Sequence, residues 1–594
     1  MNAERLLAHF ERISEAPDAI ARLRRFILDL AVRGKLVEQD PDEATPAQNL
    51  SELRKQKDLA YAVEGLRERK PITAIQPTEL WFNFPHSWML CSFDDALVIV
   101  SGVTKGQRIP YGETSVEVPY LRVANVQRGW LDLSEVKSIA VRISDVDRYR
   151  LANQDILMTE GGDWDKLGRA AIWRGEITRC IHQNHIFRLR IPSDSILPEW
   201  VVLYANSECG RRFFEDSSKQ TTNLASINLT QLRSCPIPLP PLAEQRRIVA
   251  KVDELMALCD QLEAARQQRQ QCRGRLVAAS LQRLNQPAAD PVSFRNDASF
   301  ALQVLPSHTT TPAQIKQLRQ TILNLAVQGK LVEQSPEDEP AISWLLQRVE
   351  GNHSRRSRKT VATSVEGCQD SSISVLPETW LWVVLDDLVL VMDSGWSPQC
   401  EDHPRSSIES WGVLKTTAVQ SLFFDERYHK ELPSNLQPRP QHEAREGDIL
   451  ITRAGPKNRV GISCVIDKIE PRLMISDKII RLRLAVGLSP CFVALALNAG
   501  RSSEAVEDAK SGMAVMQMNI SQVKLRAVPI PLPPLAEQHR IVAMVDELMA
   551  LCDQLEQQLS QADQQRRRLL EAVLAEALGG RLPTEQEDSH AAIA

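Results

Sequence analysis

The sequence predicts an α+β protein: two mixed α/β domains separated by a long antiparallel, coiled-coil-like helical scaffold with pseudo-two-fold symmetry. Three observations carry that expectation. The block Pro236 to Glu263 recurs at Pro529 to Glu556, with Arg246 and Lys251 alone replaced, by His539 and Met544. Its apolar residues fall at the 4-3 spacing of a helix that packs along one seam. The stretches between the repeats hold short β-branched runs bounded by turn residues, and their sequences differ.

The elements follow in chain order. Residues 1–79 form an N-terminal helical region, in which Leu23 to Val32 reads as a helix stopped by Gly34. Residues 80–235 are the first insert, with strands expected at Ala96–Val100, Val118–Ala124, Asp155–Thr159 and Ile186–Arg190. Residues 236–350 form a central helical region. Pro240-Pro241 precede a helix starting near Leu242, because proline is tolerated in a first turn and Glu244 suits the positive end of the dipole. That helix runs to about Leu284, and the polar stretch Gln286 to Pro312 reads as a linker. Within the same region, Leu30 to Gln39 is echoed by Leu325 to Gln334, after a helix from Ile315 to Val327.

Residues 351–376 are a polar linker containing Arg355, Arg356, Arg358 and Lys359, better explained by a solvated segment than by phosphate contacts. Residues 377–528 form the second insert, with strands expected at Leu388–Met392, Asp448–Thr452 and Lys478–Arg483. Pro85-His-Ser-Trp88 and Pro377-Glu-Thr-Trp380 open the two inserts alike, so one scaffold with unmatched loops is expected. Residues 529–580 form a C-terminal helical region that ends at Gly579-Gly580, and 581–594 are expected to be disordered. The seams are Ile248, Val252, Leu255 and Leu262 in one copy and Ile541, Val545, Leu548 and Leu555 in the other. They are candidates for scaffold packing and partner docking. A helix of about 40 residues would be a rod of about 60 Å.

With 594 residues the chain is too long for one core, and about 150 residues per domain gives roughly three to five domains. A net charge of −5 and a pI near 6.2 carry no basic excess, so any surface for nucleic acid must be local or completed by a partner. No apolar run spans a bilayer and no secretory leader is evident, so no membrane association is expected. The 11 cysteines include no Cys-x-x-Cys pair, which argues against a zinc ribbon and points to thiols packed in a reducing cytoplasm.

The unmatched loops carry side chains suited to base edges and phosphates. In the first insert these are Thr104, Lys105, Gln107 and Arg108, then Arg122, Asn125, Gln127 and Arg128, then Lys166, Lys219 and Gln220. In the second they are Lys415, Thr416, Arg453, Lys457, Asn458, Arg459 and Lys510. Catalytic readings do poorly. Asp163-Trp-Asp-Lys166 has the look of a metal-dependent nuclease motif, but the matching turn, Arg453-Ala-Gly-Pro-Lys457, has no carboxylate. Gly34-Lys35 and Gly329-Lys330 lack the flanking residues of a phosphate loop and read as helix termini. No metal site and no methyltransferase cofactor loop is found.

The chain resembles the specificity subunits of type I restriction-modification systems. The resemblance rests on Pro-Leu-Pro-Pro-Leu-Ala-Glu-Gln-x-Arg-Ile-Val at 238–249 and 531–542, and on Gly-Lys-Leu-Val at 34–37 and 329–332. It rests also on Asp-Ile-Leu strands before glycine-containing turns, with one departure: Asn153-Gln-Asp-Ile156 stands where the second insert has Gly447-Asp-Ile449. The resemblance implies a non-catalytic reader of double-stranded DNA. Its two inserts would be target-recognition domains, each binding half of a bipartite, asymmetric site on opposite strands, with the helices setting the gap. It implies two methyltransferase subunits docked on the frame, carrying S-adenosylmethionine, and restriction subunits with an ATP-driven, Mg-dependent translocase and nuclease. This chain would bind no cofactor itself and would be cytoplasmic, nucleoid-associated when on DNA. A helical adaptor whose inserts bind proteins is the alternative of another class.

Overall fold

A computed structural model describes residues 15–43 except 17, 50–66, 72, 80–106, 113–162, 166–221, 224–286, 291–351 and 376–578. The basic cluster Arg355 to Lys359, the C-terminal tail, and Gln107, Arg108, Asp163 and Asp165 lie outside those residues. The chain forms two compact units, residues 1–268 with 563–594, and residues 269–562. Each is built to the same plan.

In the first unit the short helix Ala19–Val32 stops where Gly34 takes φ 65° and Lys35 N–H bonds back to Leu30 O at 2.9 Å. A side chain here would be doubly excluded, because a Cβ on Gly34 would lie 2.3 Å from Pro85 Cγ. The second unit repeats the stop at the end of Pro312–Val327, where Gly329 has φ 67° and its Cβ would meet Pro377 Cγ at 2.4 Å. The Gly-Lys pairs are thus helix stops, and the opening proline of each insert packs on them.

A hydrogen-bond cluster centred on one buried indole–carboxylate bond then joins insert to frame. Trp88 Nε1 donates to Glu244 Oε2 at 2.9 Å, Gln39 Nε2 donates to Glu244 Oε1, and Ser87 donates to Gln39. Trp380, Glu537, Gln334 and Thr379 make the same set, again with a 2.9 Å indole bond. Arg247 pairs with Glu43 and Arg540 with Asp338 beside them. The repeated block therefore carries Glu and Gln because each is half of a bond to the insert or its approach: Gln245 accepts from Leu197 N–H, and Gln538 from Ser489 N–H, both at 2.9 Å.

The long helices span Leu242–Asn285 and Leu535–Leu578, 44 residues each. The first halves of their seams are closed within their own units. Ile248 and Val252 are buried against Ile20 and Ile27 of the short helix and against the insert, with Leu255 and Leu262 at the margin; Ile541 and Val545 meet Ile315 and Ile322, with Leu548 and Leu555 beside them. Ion pairs bind the same helices, Arg24 to Asp260 and Glu263, and Arg319 to Asp553 and Glu556. Farther along, Leu570 and Leu574 pack on Phe26 and Leu30 in the first unit, and Val277, Leu281 and Leu284 pack with Ala301 and Leu305 in the second. The expected linker from Gln286 to Pro312 is therefore corrected: Pro291–His308 is a helix, held by apolar residues that its polar composition obscured.

Each insert has an antiparallel four-stranded core sheet of one order. In the first it is Val98–Ser101, Ile186–Arg190, Ile156–Thr159 and Ala170–Ile172; in the second, Val389–Ser394, Ile479–Leu484, Ile449–Thr452 and Ser463–Val465. The Pro-rich starts of the repeated block form edge strands, Pro236–Leu239 on Met89–Ser92 and Pro529–Leu532 on Leu381–Val384. Two expected strands begin later than the apolar runs suggest. Phe93–Ala96, capped by Ser92 and Asp95, and Leu385–Leu388 are single helical turns. Val118–Ala124 likewise divides into the strand Ser115–Leu121 and a 3-10 turn at Val123–Asn125.

The turn at Gln154 matches its counterpart despite the departure in sequence. Gln154 and Gly447 have φ 71° and 81°, and both N–H groups bond at 2.8 Å to the strand opposite. In each, the next aspartate accepts from the N–H three residues back and pairs with an arginine, Asp155 with Arg190 and Asp448 with Arg483, at 2.7 Å.

Candidate nucleic-acid interface

The core strand Ile156–Thr159 runs into Gly161–Gly162, and Ile449–Thr452 into Ala454–Gly455. A buried threonine ends each strand. Thr159 accepts from Arg169 N–H at 2.9 Å and donates to Lys166 O; Thr452 accepts from Ile462 N–H at 3.1 Å and donates to Arg459 O. The turn is thereby pinned at both ends. Its outer edge pairs with a hairpin, Gly161 and Gly162 with Ser226 and Ala225, and Ala454 and Gly455 with Asn519 and Met518. A Cβ on Gly161 would lie 2.2 Å from Ala225 O, so the close approach requires glycine.

This junction gathers residues that are distant in sequence. In the second insert Lys457 N–H bonds to Val515 O at the hairpin tip at 2.8 Å, and Lys457, Asn458, Val515 and Met516 are exposed. Arg453 is half-buried and its guanidinium reaches Asp477 O at 3.5 Å. In the first insert Lys166 is half-buried in the turn, and Lys219 and Gln220 lie on the hairpin strand Lys219–Thr221. In the second insert this small sheet presents an exposed lysine and an exposed asparagine at a strand end, groups suited to phosphates and base edges.

Several other candidates are held inside their loops. Asn125 is 3% exposed, donating to Asp132 O and Glu135 O at 2.8 and 3.0 Å and accepting from Arg122 N–H. Arg122 bonds to Glu135 O at 3.2 Å, Gln127 to Ala124 O at 2.8 Å, and Arg128 to Leu167 O at 3.4 Å. Arg459 clamps the loop through Gln420, Thr416 O and Val419 O at 2.8 to 3.1 Å. Lys510 pairs with Glu507 and donates to Lys457 O at 3.0 Å, its side chain 4% exposed. These residues shape the surface from behind. Thr104 and Lys105 are exposed and Lys415 and Thr416 half-buried, at the ends of the neighbouring three-stranded sheets.

The model of the family described as "Type I restriction modification DNA specificity domain" matches residues 104–270 and 446–562. The Escherichia coli protein "Type I restriction enzyme EcoEI specificity subunit" is 34% identical over 567 residues, which cover 94% of this chain and 94% of that one. The chain belongs to the type I restriction enzyme specificity subunits. A second E. coli member, the EcoAI specificity subunit, is 25% identical over 94% of each chain. The crystal structure of the HsdS subunit from Thermoanaerobacter tengcongensis aligns with 85% of this chain and 99% of its own, at 20% identity and a TM-score of 0.42.

Sequence reasoning missed three features of this specificity subunit. Arg169 Nη1 donates to Gln127 Oε1 at 2.7 Å, doing for the first insert what Arg459 does for Gln420 in the second. The signal was that Gln127 and Gln420 follow equivalent 3-10 turns, with their arginines at unequal positions. The exposed tip Val515-Met516 carries two apolar residues that no motif or spacing singles out. Leu258 and Leu551, equivalent positions of the repeated block, point outward, 46% and 53% exposed. Among the described residues no cluster of His, Cys, Asp or Glu could hold a metal, and no helix is long and apolar enough to cross a membrane.

Proposed function

We propose that this specificity subunit reads a bipartite, asymmetric site on double-stranded DNA, one half with each insert, and is itself non-catalytic. The carrying observation is the paired construction: the same buried indole–carboxylate bond joins each insert to the frame, while the turn–hairpin junctions differ in sequence. The long helices act as an antiparallel, coiled-coil-like spacer of pseudo-two-fold symmetry. That frame sets the number of unread base pairs and places the two inserts on opposite strands. Two methyltransferase subunits dock on it, and the outward Leu258 and Leu551 support two like partners on two like surfaces. Those subunits bring S-adenosylmethionine and flip the target adenine. Restriction subunits bring ATP, Mg and translocation. The complex works in the cytoplasm, associated with the nucleoid when on DNA. The absence of a basic excess fits a phosphate clamp shared with these partners.

The test is adenine-methylation mapping in cells that carry the chain with its methyltransferase subunit. The wild type is expected to mark one bipartite motif. Lys457→Ala with Asn458→Ala is expected to weaken or relax one half of it, each lost base contact being worth about 1–3 kcal/mol, and to leave the other half unchanged. A change in both halves, or no motif at all, would overturn the reading.

A further inference from the structure

The two units solve one electrostatic problem differently. Arg188 and Arg481 hold the same place in the core sheets, opposite Leu157 and Leu450 on one side. On the other side Arg188 faces Val100, where Arg481 faces Asp393. Both side chains are buried, 1% and 2% exposed. A guanidinium stays charged at any working pH, so burial demands a carboxylate and hydrogen-bond acceptors.

Arg481 finds them inside its own insert. Nε donates to Asp393 Oδ1 at 3.0 Å, and the remaining N–H groups reach Glu443 O and Gln441 O at 2.8 and 3.0 Å. Arg188, facing a valine, takes its carboxylate from Glu64, which also accepts from Arg190 Nη1 at 2.6 Å. Glu64 lies before the insert, directly after the helix Leu50–Val63.

That helix is fastened to the insert along its length. Leu53 is buried in the insert's core, Arg54 Nε donates to Asp95 at 2.9 Å, and Lys57 Nζ donates to Asp94 O at 2.9 Å. Tyr61 covers Val98 and Val100, and its hydroxyl accepts from the edge-strand N–H of Ile99 at 3.5 Å. The helix before the second insert, Ala341–Gly351, also docks on its insert, with Ala341 in the second core and Trp344 Nε1 donating to Val486 O at 3.0 Å, but it supplies no charge to Arg481. On the second edge strand Leu390 is 64% and Val391 38% exposed.

We propose that the first DNA-reading module starts at Leu50, inside the frame, with Glu64 as its obligatory counter-charge, while the second supplies its counter-charge, Asp393, from its own core sheet. The functional half of this statement rests on each insert reading one half-site. The specificity module of the first half is then residues 50–235, and its exchange is asymmetric. The second insert can be moved with its counter-charge in place. The first cannot, unless a carboxylate is restored at Val100.

Full-length chain co-produced with its methyltransferase subunit provides the test. Glu64→Ala is expected to lower the melting temperature by at least about 5 °C and to abolish methylation of the motif. Adding Val100→Asp, which copies Asp393, is expected to restore both. Residues 80–235 put in place of 377–528 should yield a functional chain only with Val100→Asp, whereas 377–528 in place of 80–235 needs no such change. A neutral Glu64→Ala, a failed rescue, or equal success of both transplants without the aspartate would overturn the proposal. If melting and rescue behave as stated but the wild type marks no bipartite motif, the module boundary stands and the half-site reading fails.

Discussion

Asp29 is a charge held where the duplicate has none. Its carboxylate accepts from Glu208 N–H at 3.0 Å, and the equivalent Asn324 accepts from Gly500 N–H at 3.2 Å. Burial, with the nearby Glu208 carboxylate adding to it, pushes the Asp29 pKa up to about 6. A folded pKa above the unfolded value means the native state holds the proton more tightly. The stabilising contribution is full below about pH 3.8 and is lost as pH rises through about 6, so at neutral pH the ionised group weakens the first unit. Asp29→Asn is expected to stabilise that unit by about 1–3 kcal/mol at pH 7, a tenfold change in proton affinity being worth about 1.4 kcal/mol. It should also flatten the rise in stability that the wild type shows between pH 7 and pH 5. Thermal melts at the two pH values check both.

At the scale of elements, strong periodicity was readable and weak signals were not. The long helices end at Asn285 and Leu578, within a residue of the expected ends near Leu284 and before Gly579-Gly580. The helix Pro291–His308 was hidden, because Phe294, Ala298, Ala301 and Leu305 are scattered among Pro, Ser, Asn and Asp. The single turns at Phe93 and Leu385 were hidden as well, since a short apolar run fits either a buried strand or a helical turn. The Gln154 turn shows tertiary pairing overriding local preference: two interstrand bonds hold a non-glycine residue at φ 71°. Gln154→Gly, as at Gly447, relieves a left-handed penalty of about 1–2 kcal/mol and loses part of it to greater chain entropy. A net gain near 1 kcal/mol in denaturant unfolding is expected.

For the whole molecule, the duplication was legible, because repeats survive in sequence and each of the two compact units carries one copy of the insert. The reading surface was legible only as a list. Whether Asn125 or Lys510 faces solvent depends on loop partners that no spacing records, and both turn out to brace their loops. If the long helices space the two inserts, lengthening them must widen the gap in the site. Four residues inserted after Gln271 and after Gln564, both exposed helical positions, add about 6 Å to each helix, or about two base pairs of duplex. The methylated motif is expected to keep both halves with a longer gap. Altered halves in the mapped motif would count against the spacer role.

The buried bond from Trp88 to Glu244 separates two responses to ionic strength. It lies beneath the surface, where mobile ions screen little, so the insert is expected to stay seated on its frame as salt rises. If the exposed Lys457 contacts phosphate as proposed, that contact exchanges with counterions and weakens steeply over the same range. On that reading salt strips the nucleic acid while the reader keeps its shape.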